Sequence, residues 1–192
     1  MSHDTPRIYV ASLSDYNNGI LHGRWIDADQ TPEQIYEEVG EMLATSPVSG
    51  KFGEVAEEWA IHDYDNFPAG LDLSEWESFE RLHDIAEALG EYPAAVVAHF
   101  FSENPEMEAA EVVELIEAQF ITTVTDELDE LEAVASVAWD YIEEQSDLPK
   151  HYRTHQMAIA RSMANDWMHA GSHGAIYEGA GVWHVLDYHA SE

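Results

Sequence analysis

Apolar residues open the chain in two short runs, Ile8 to Leu13 and Ile20 to Ile26, with the polar stretch "SDYNNG" between them. Runs of six or seven residues rich in Ile, Val, Tyr and Trp predict strands. Asn18-Gly19 predicts a type I′ hairpin turn between them, because both of its central positions require positive φ. The spacing then lengthens to a helical period. Ile35, Val39, Met42 and Leu43 form one stripe of a helix that Thr31 caps and Pro32 opens. After a Gly/Ser/Pro loop at 46–53, "EVAEEWAIHDYD" predicts a third strand, broken by "NFPAG".

From residue 73 to about 120 the pattern is helical. "SEWESFERLHDIAEALG" offers a capping box, Ser74 with Glu77, and an apolar face of Trp76, Phe79, Leu82, Ile85, Ala86 and Leu89, with Gly90 as the residue that closes the helix. "PAAVVAHFF" and "PEMEAAEVVELIEAQF" predict two more helices. "ITTVT" (121–125) predicts a strand, Thr125 then caps a helix running to Gln145, and Pro149 precedes a further helix. "AIYEGAGVWHVLDY" predicts a second hairpin around Glu178–Gly181. Strands, then helices, then both together imply an α+β fold. The expected division is an N-terminal α+β lobe (1–68), a central helical lobe (69–118) and a C-terminal α+β lobe (119–192).

Charge changes the picture. The 192 residues carry 39 Asp and Glu against 7 Lys and Arg, a net of −32, with 45% hydrophobic residues to build a core. Between Asp27 and Glu144 lie 32 of the acids, and from Leu82 to Pro149 there are 18 acids and no Lys or Arg. Surface helices ordinarily pair Glu with Lys four residues on, and these helices cannot. On 106–120, Ala109, Val112, Val113, Ile116 and Phe120 face inward, and Glu108, Glu111, Glu114 and Glu117 follow every three residues, a rise of about 4.5 Å each. On the next helix Leu128, Leu131, Val134, Ala135, Ala138 and Ile142 face inward, leaving Asp126, Glu127, Asp129, Glu130 and Glu132 outside.

Such a surface repels nucleic acid and anionic membrane and attracts basic proteins or cations. Three readings of it compete: adaptation to a saline cell, cation binding, and imitation of nucleic acid. The nearest calcium-loop candidate, "DYDNFPAGLDLSE", places Pro68 at the turn-glycine position and Ser74 at the bidentate-glutamate position, so it fails the pattern. Duplex DNA carries one charge per roughly 1.7 Å, so about 32 charges match roughly 54 Å, or about 16 base pairs. The magnitude permits mimicry.

Catalytic motifs are wanting. There is no cysteine, hence no disulfide or thiolate chemistry. No G-x-S-x-G, P-loop or G-x-G-x-x-G occurs in a strand-to-helix setting. His151 with His155, and His169 with His173, are spaced i, i+4 as zinc ligands can be, but neither pair carries the glutamate of HExxH, and structural roles are favoured. His22 and His62 read as strand residues with local hydrogen bonds. No basic-then-apolar leader and no apolar run of roughly 20 residues is evident, so a cytoplasmic location is expected.

One compound pattern is specific. "IYVASLSDYNNGILHGRWIDA" followed by "EEWAIHDYDNFP" resembles the ArdA family of antirestriction proteins, carried by plasmids, conjugative transposons and phages. The resemblance rests on Tyr16, Asn17, Gly19, Gly23, Trp25, Asp27, Glu57, Glu58, Trp59, Ala60, Ile61 and Asp63, with looser collinear likeness in "AWDYIEEQSDLP" and "MAIARSMANDW". It implies a non-enzymatic DNA mimic without a cofactor, an elongated homodimer of three small lobes. Such a protein occupies the DNA groove of the methyltransferase core of type I restriction–modification enzymes and blocks restriction and often modification. Neither nucleic acid nor membrane is then a partner. The expected binding surface is distributed over Glu37, Glu38, Glu41, Glu57, Glu58, Asp72, Glu75, Glu77, Glu108, Glu111, Glu114, Glu117, Asp126, Glu127, Asp129, Glu130, Glu132, Asp140, Glu143 and Glu144. Residues 149–192, with four acids against three Lys and Arg, suit a dimer interface. The alternatives are an acidic adaptor for another basic or DNA-binding partner and a halophile-type acidic domain without mimicry.

Overall fold

The structure is a computed structural model that describes residues 4–52, 55–126, 129–145 and 155–190. The fold is α+β, with two three-stranded antiparallel sheets. Contacts divide the chain into two compact units, Met1–Val113 and Glu114–Glu192.

In the first unit, β1 (Arg7–Ser12) lies between β2 (Gly23–Asp27) and β3 (Trp59–Asp65). The expected pairing of the first two strands is present, with Ile8 opposite Ile26 and Tyr9 opposite Trp25. Their connection differs from expectation. No type I′ turn forms at Asn18-Gly19, since Gly19 has φ 73° but Asn18 has φ −92°. Instead α1 (Leu13–Asn17) fills the gap, capped by the Ser12 hydroxyl, which accepts the Asp15 N–H. The Ser-x-x-Asp spacing of residues 12–15 is the signal for it, outweighed in the sequence by Asn-Gly. Gly23 is required by a close approach: a Cβ there would stand 2.5 Å from the Val10 carbonyl oxygen and 2.9 Å from Tyr9 Cζ.

Helix α2 (Pro32–Ala44) begins as expected, with a complete Thr31–Gln34 capping box. It is followed by α3 (Pro47–Phe52). The sheet and α2 enclose a core of Ile8, Val10, Ile26, Ile35, Val39, Met42 and Ile61, closed by Phe79 and Leu82 of α4 (Phe79–Glu91). Here the expected helix start is corrected. Ser78, not Ser74, caps α4 by accepting the Arg81 N–H at 3.1 Å, and Trp76 lies outside the helix and is exposed. Residues 74–77 instead form a turn whose Glu75 carbonyl accepts the Ile61 N–H of β3 at 2.9 Å. Gly90 also falls inside α4. The helix stops at Tyr92, held extended (φ −118°, ψ 156°) by the proline that follows. Then come α5 (Ala94–Glu103) and α6 (Ala109–Gln119).

In the second unit, β4 (Phe120–Val124) and β5 (His173–Gly179) flank the central β6 (Val182–Asp187). The β5–β6 hairpin forms where expected, with Ala180 and Gly181 at positive φ. Helices α7 (Glu130–Gln145) and α8 (Gln156–His169) pack through small residues, Ala133, Ala135, Ala138, Ala160 and Ala164, against Val134 and Val185. Thr125 is not the cap of α7. Asp129 is, its carboxylate accepting the Glu132 N–H at 3.0 Å. Leu128 and Pro149 lie outside the described residues. Among the described residues, no helix is long and apolar enough to cross a membrane.

Candidate functional site

Of the expected surface acids, Glu37, Glu57, Glu58, Asp72, Glu75, Glu108, Glu111, Glu114, Glu117, Asp126, Asp140, Glu143 and Glu144 are exposed. So are Glu41 and Asp129, the latter already engaged as the α7 cap. Glu127 lies outside the described residues. Helix periodicity decides this placement: on α6, Val112 and Ile116 are fully buried and Ala109 nearly so, which turns the Glu108-to-Glu117 series outward.

Four expected acids are half-buried, and each has an internal task. Glu38 binds Arg24 at 2.8 Å and accepts from the Gln30 amide; Arg24 also reaches Glu41 at 3.3 Å. Glu77 lies 3.7 Å from Arg81. Glu130 accepts the Ala175 N–H at 3.1 Å, tying α7 to β5, and Glu132 meets Arg161 of α8 at 2.7 Å. The expectation that Glu130 and Glu132 belong to the outer face is therefore corrected. Their partners stand 45 and 29 residues away in sequence, so helical phase alone does not reveal them.

Arg7, Arg24, Arg81 and Arg161 are the arginines whose side chains are described, and each already holds a carboxylate, Arg7 pairing with Asp65. Among the described residues, no ion pair reaches Glu108, Glu111, Glu114 or Glu117, nor Asp140, Glu143 or Glu144. Helix ends add to the imbalance. Glu41, Glu91, Glu103, Glu117, Glu143 and Glu144 lie in the last turns of α2, α4, α5, α6 and α7, none of which has a basic residue there. Negative charge at a helix C-terminus opposes the macrodipole, at about 0.3–1 kcal/mol each at low ionic strength. The fold tolerates this placement and is not stabilised by it.

Acids outside the expected set also gather. Asp84, Glu87 and Glu91 of α4 line a depression with Ala110 and Val113 of α6. Burial pushes the Asp84 carboxyl above its ordinary value; His83 opposes the shift, and Glu87 and Glu80 reinforce it. The i, i+3, i+7 spacing of Asp84, Glu87 and Glu91 is the signal that could have found this row.

His169 and His173 sit on different elements and have separate contacts. His169 ends α8, with Nδ1 2.7 Å from the Asn165 carbonyl oxygen, whereas His173 begins β5 and stacks on Trp167 at 4.3 Å. Burial lowers the His173 pKa, although Asp187 acts in the opposite direction. His151 lies outside the described residues. Among the described residues, no group of three metal-ligating side chains converges. His62 is in β3, edge-on to Tyr16, while His22 precedes β2 and reaches the Met42 carbonyl of α2 at 2.7 Å, a longer-range contact than expected.

The family model of the antirestriction protein ArdA matches residues 8–180. The chain belongs to the ArdA antirestriction family. The ArdA match enters at β1 and runs to the β5–β6 hairpin, taking in the Tyr16–Asp27 and Glu57–Asp63 blocks. Antirestriction is accordingly the function the family implies, and ArdA is a family of inhibitors, not of enzymes. No curated protein matches the chain. The ArdA blocks serve the frame: Gly23 permits close strand approach, Trp25 packs on Tyr9, and Trp59 stacks on Phe79 at 4.7 Å.

Proposed function

We propose that this protein is an acidic mimic of DNA that occupies the DNA-binding groove of a type I restriction–modification enzyme, at its methyltransferase core, and blocks restriction by excluding the target duplex. The observation that carries the reading is the charge inventory: the described arginines each hold a carboxylate, and among the described residues no ion pair reaches the exposed carboxylates of α6 and of the end of α7. A groove lined with Arg and Lys supplies the missing charge. Binding of this kind is distributed, fast and salt-sensitive. The protein acts in the cytoplasm as a homodimer joined through residues 119–192, where acids are sparse after residue 149. It needs no cofactor and does not itself bind nucleic acid.

The test is competition. The protein is titrated against a labelled target duplex bound to a type I methyltransferase core, at about 0.1 M salt and at several-fold higher salt. Near-stoichiometric displacement that weakens as salt rises is expected. No displacement across several type I systems would overturn mimicry and favour an acidic adaptor for another basic partner or adaptation to a saline cytoplasm. A monomer by sedimentation at micromolar concentration would overturn the dimer.

A further inference from the structure

Trp76 is 59% exposed, and the turn that carries it is tied to β3. Tyr16, Trp25, Tyr36, Tyr141 and Tyr177 are also well exposed, but each rests against another ring. Trp76 has no ring partner among the described residues. The turn that presents it is pinned on both sides. The Glu75 carbonyl accepts the Ile61 N–H of β3, the Ser74 carbonyl accepts the Tyr64 hydroxyl at 2.7 Å, and the Ser74 hydroxyl accepts the Trp76 N–H at 3.3 Å. A large apolar ring carried on a backbone held this firmly, next in sequence to the exposed Glu75, lies outside the core of its own unit.

The chain shows what such a ring can hold. Arg7 pairs with Asp65 and lies over the Trp25 ring, 5.4 Å from its centroid. Arg81 pairs with Glu77 and lies over Phe101 at 5.2 Å. Two of the four described arginines thus combine a carboxylate with an aromatic face. Trp76 with the adjacent exposed Glu75 offers an aromatic face and a carboxylate, with no arginine over the ring among the described residues, and indole is the best of the aromatic faces for a cation. We propose that Trp76 receives an arginine side chain from the groove that this protein occupies, making one aromatic anchor within an otherwise distributed electrostatic surface. The proposal rests on the DNA-mimic reading. It adds that part of the binding comes from stacking, which salt screens less than exposed charge.

The experiment compares the unaltered protein with Trp76→Ala, Trp76→Gln and Trp76→Phe. Each is assayed for displacement of duplex from a methyltransferase core at low and high salt, with thermal melting and sedimentation on the same samples. Expected are unchanged melting and an unchanged association state. Affinity should fall about tenfold for Ala and Gln, less for Phe, and by a similar factor at both salts. Equal displacement by all variants would overturn the anchor and leave mimicry standing. A loss that accompanies dissociation of the dimer would overturn it in favour of contact between copies. Failure of the unaltered protein to displace duplex would overturn the reading beneath it.

Discussion

The carboxylate of Asp15 accepts the backbone N–H of Val48 at 2.9 Å, joining α1 to α3 across 33 residues of chain. Asp15 is fully buried. Burial alone would raise its pKa, but hydrogen bonds from Ser46, Ser12 and Val48 outweigh it and hold the carboxyl below its ordinary value. The ionised form is thus preferred more in the folded chain than in the unfolded one. Its stabilisation is complete above the unfolded value, near pH 4, and is lost as pH falls through the depressed folded value. Asp15→Asn should cost about 1–3 kcal/mol at pH 7, with a smaller difference from the unaltered protein at pH 2–3. Urea unfolding at both pH values checks this, and an equal loss at each would remove ionisation from the account.

Asp84 should behave oppositely. Its pKa is raised, chiefly by burial, so its charge opposes folding at neutral pH and protonation favours folding as pH falls towards the ordinary carboxylate range. Asp84→Asn should raise the melting temperature at pH 7 and have little effect at pH 3. A lower melting temperature at pH 7 would show that the carboxylate makes a stabilising contact.

Gly23→Ala tests the frame. The added methyl meets backbone, Val10 O at 2.5 Å, which cannot swing aside as a side chain can. Separation of β1 from β2 should cost about 1–3 kcal/mol. The measurement is denaturant unfolding, and a change within 0.5 kcal/mol would contradict the close approach.

Glu111 and Glu132 should separate stability from binding. Glu111→Gln removes an exposed charge that has no ion-pair partner among the described residues, so melting should hold or rise and inhibition should weaken only slightly. The quadruple change of Glu108, Glu111, Glu114 and Glu117 to Gln should weaken inhibition strongly at low salt and little at high salt. Glu132→Gln breaks the pair with Arg161 and should lower stability by up to about 1 kcal/mol, as partly exposed ion pairs do. Restriction assays beside melting curves decide it. Abolition of inhibition by Glu111→Gln alone would refute a distributed surface.

Periodicity made much of this legible. The inward positions Val112, Ile116, Val134 and Ala138 are buried as their spacing requires, and the outward row on α6 follows from them. Local signals in competition misled. Asn18-Gly19 suggested a turn where Ser12 and Asp15 nucleate α1, and Ser74 suggested a cap that Ser78 supplies, because β3 claims the backbone of the intervening turn. The half-buried acids were illegible for a different reason. Glu130 and Glu132 look like their exposed neighbours until Ala175 and Arg161 arrive from distant sequence.

The strand order of the second sheet has a consequence for biosynthesis. β6 is its centre, and β4 and β5 each pair with β6 but not with one another. As the chain leaves the ribosome, β4 must wait some sixty residues for the register in which Thr123 meets His184. The first sheet is complete once Asp65 has emerged. A nascent chain therefore carries a finished N-terminal frame while its second sheet still lacks a middle, and a stop codon placed just after Gly181 would strand two edges at once.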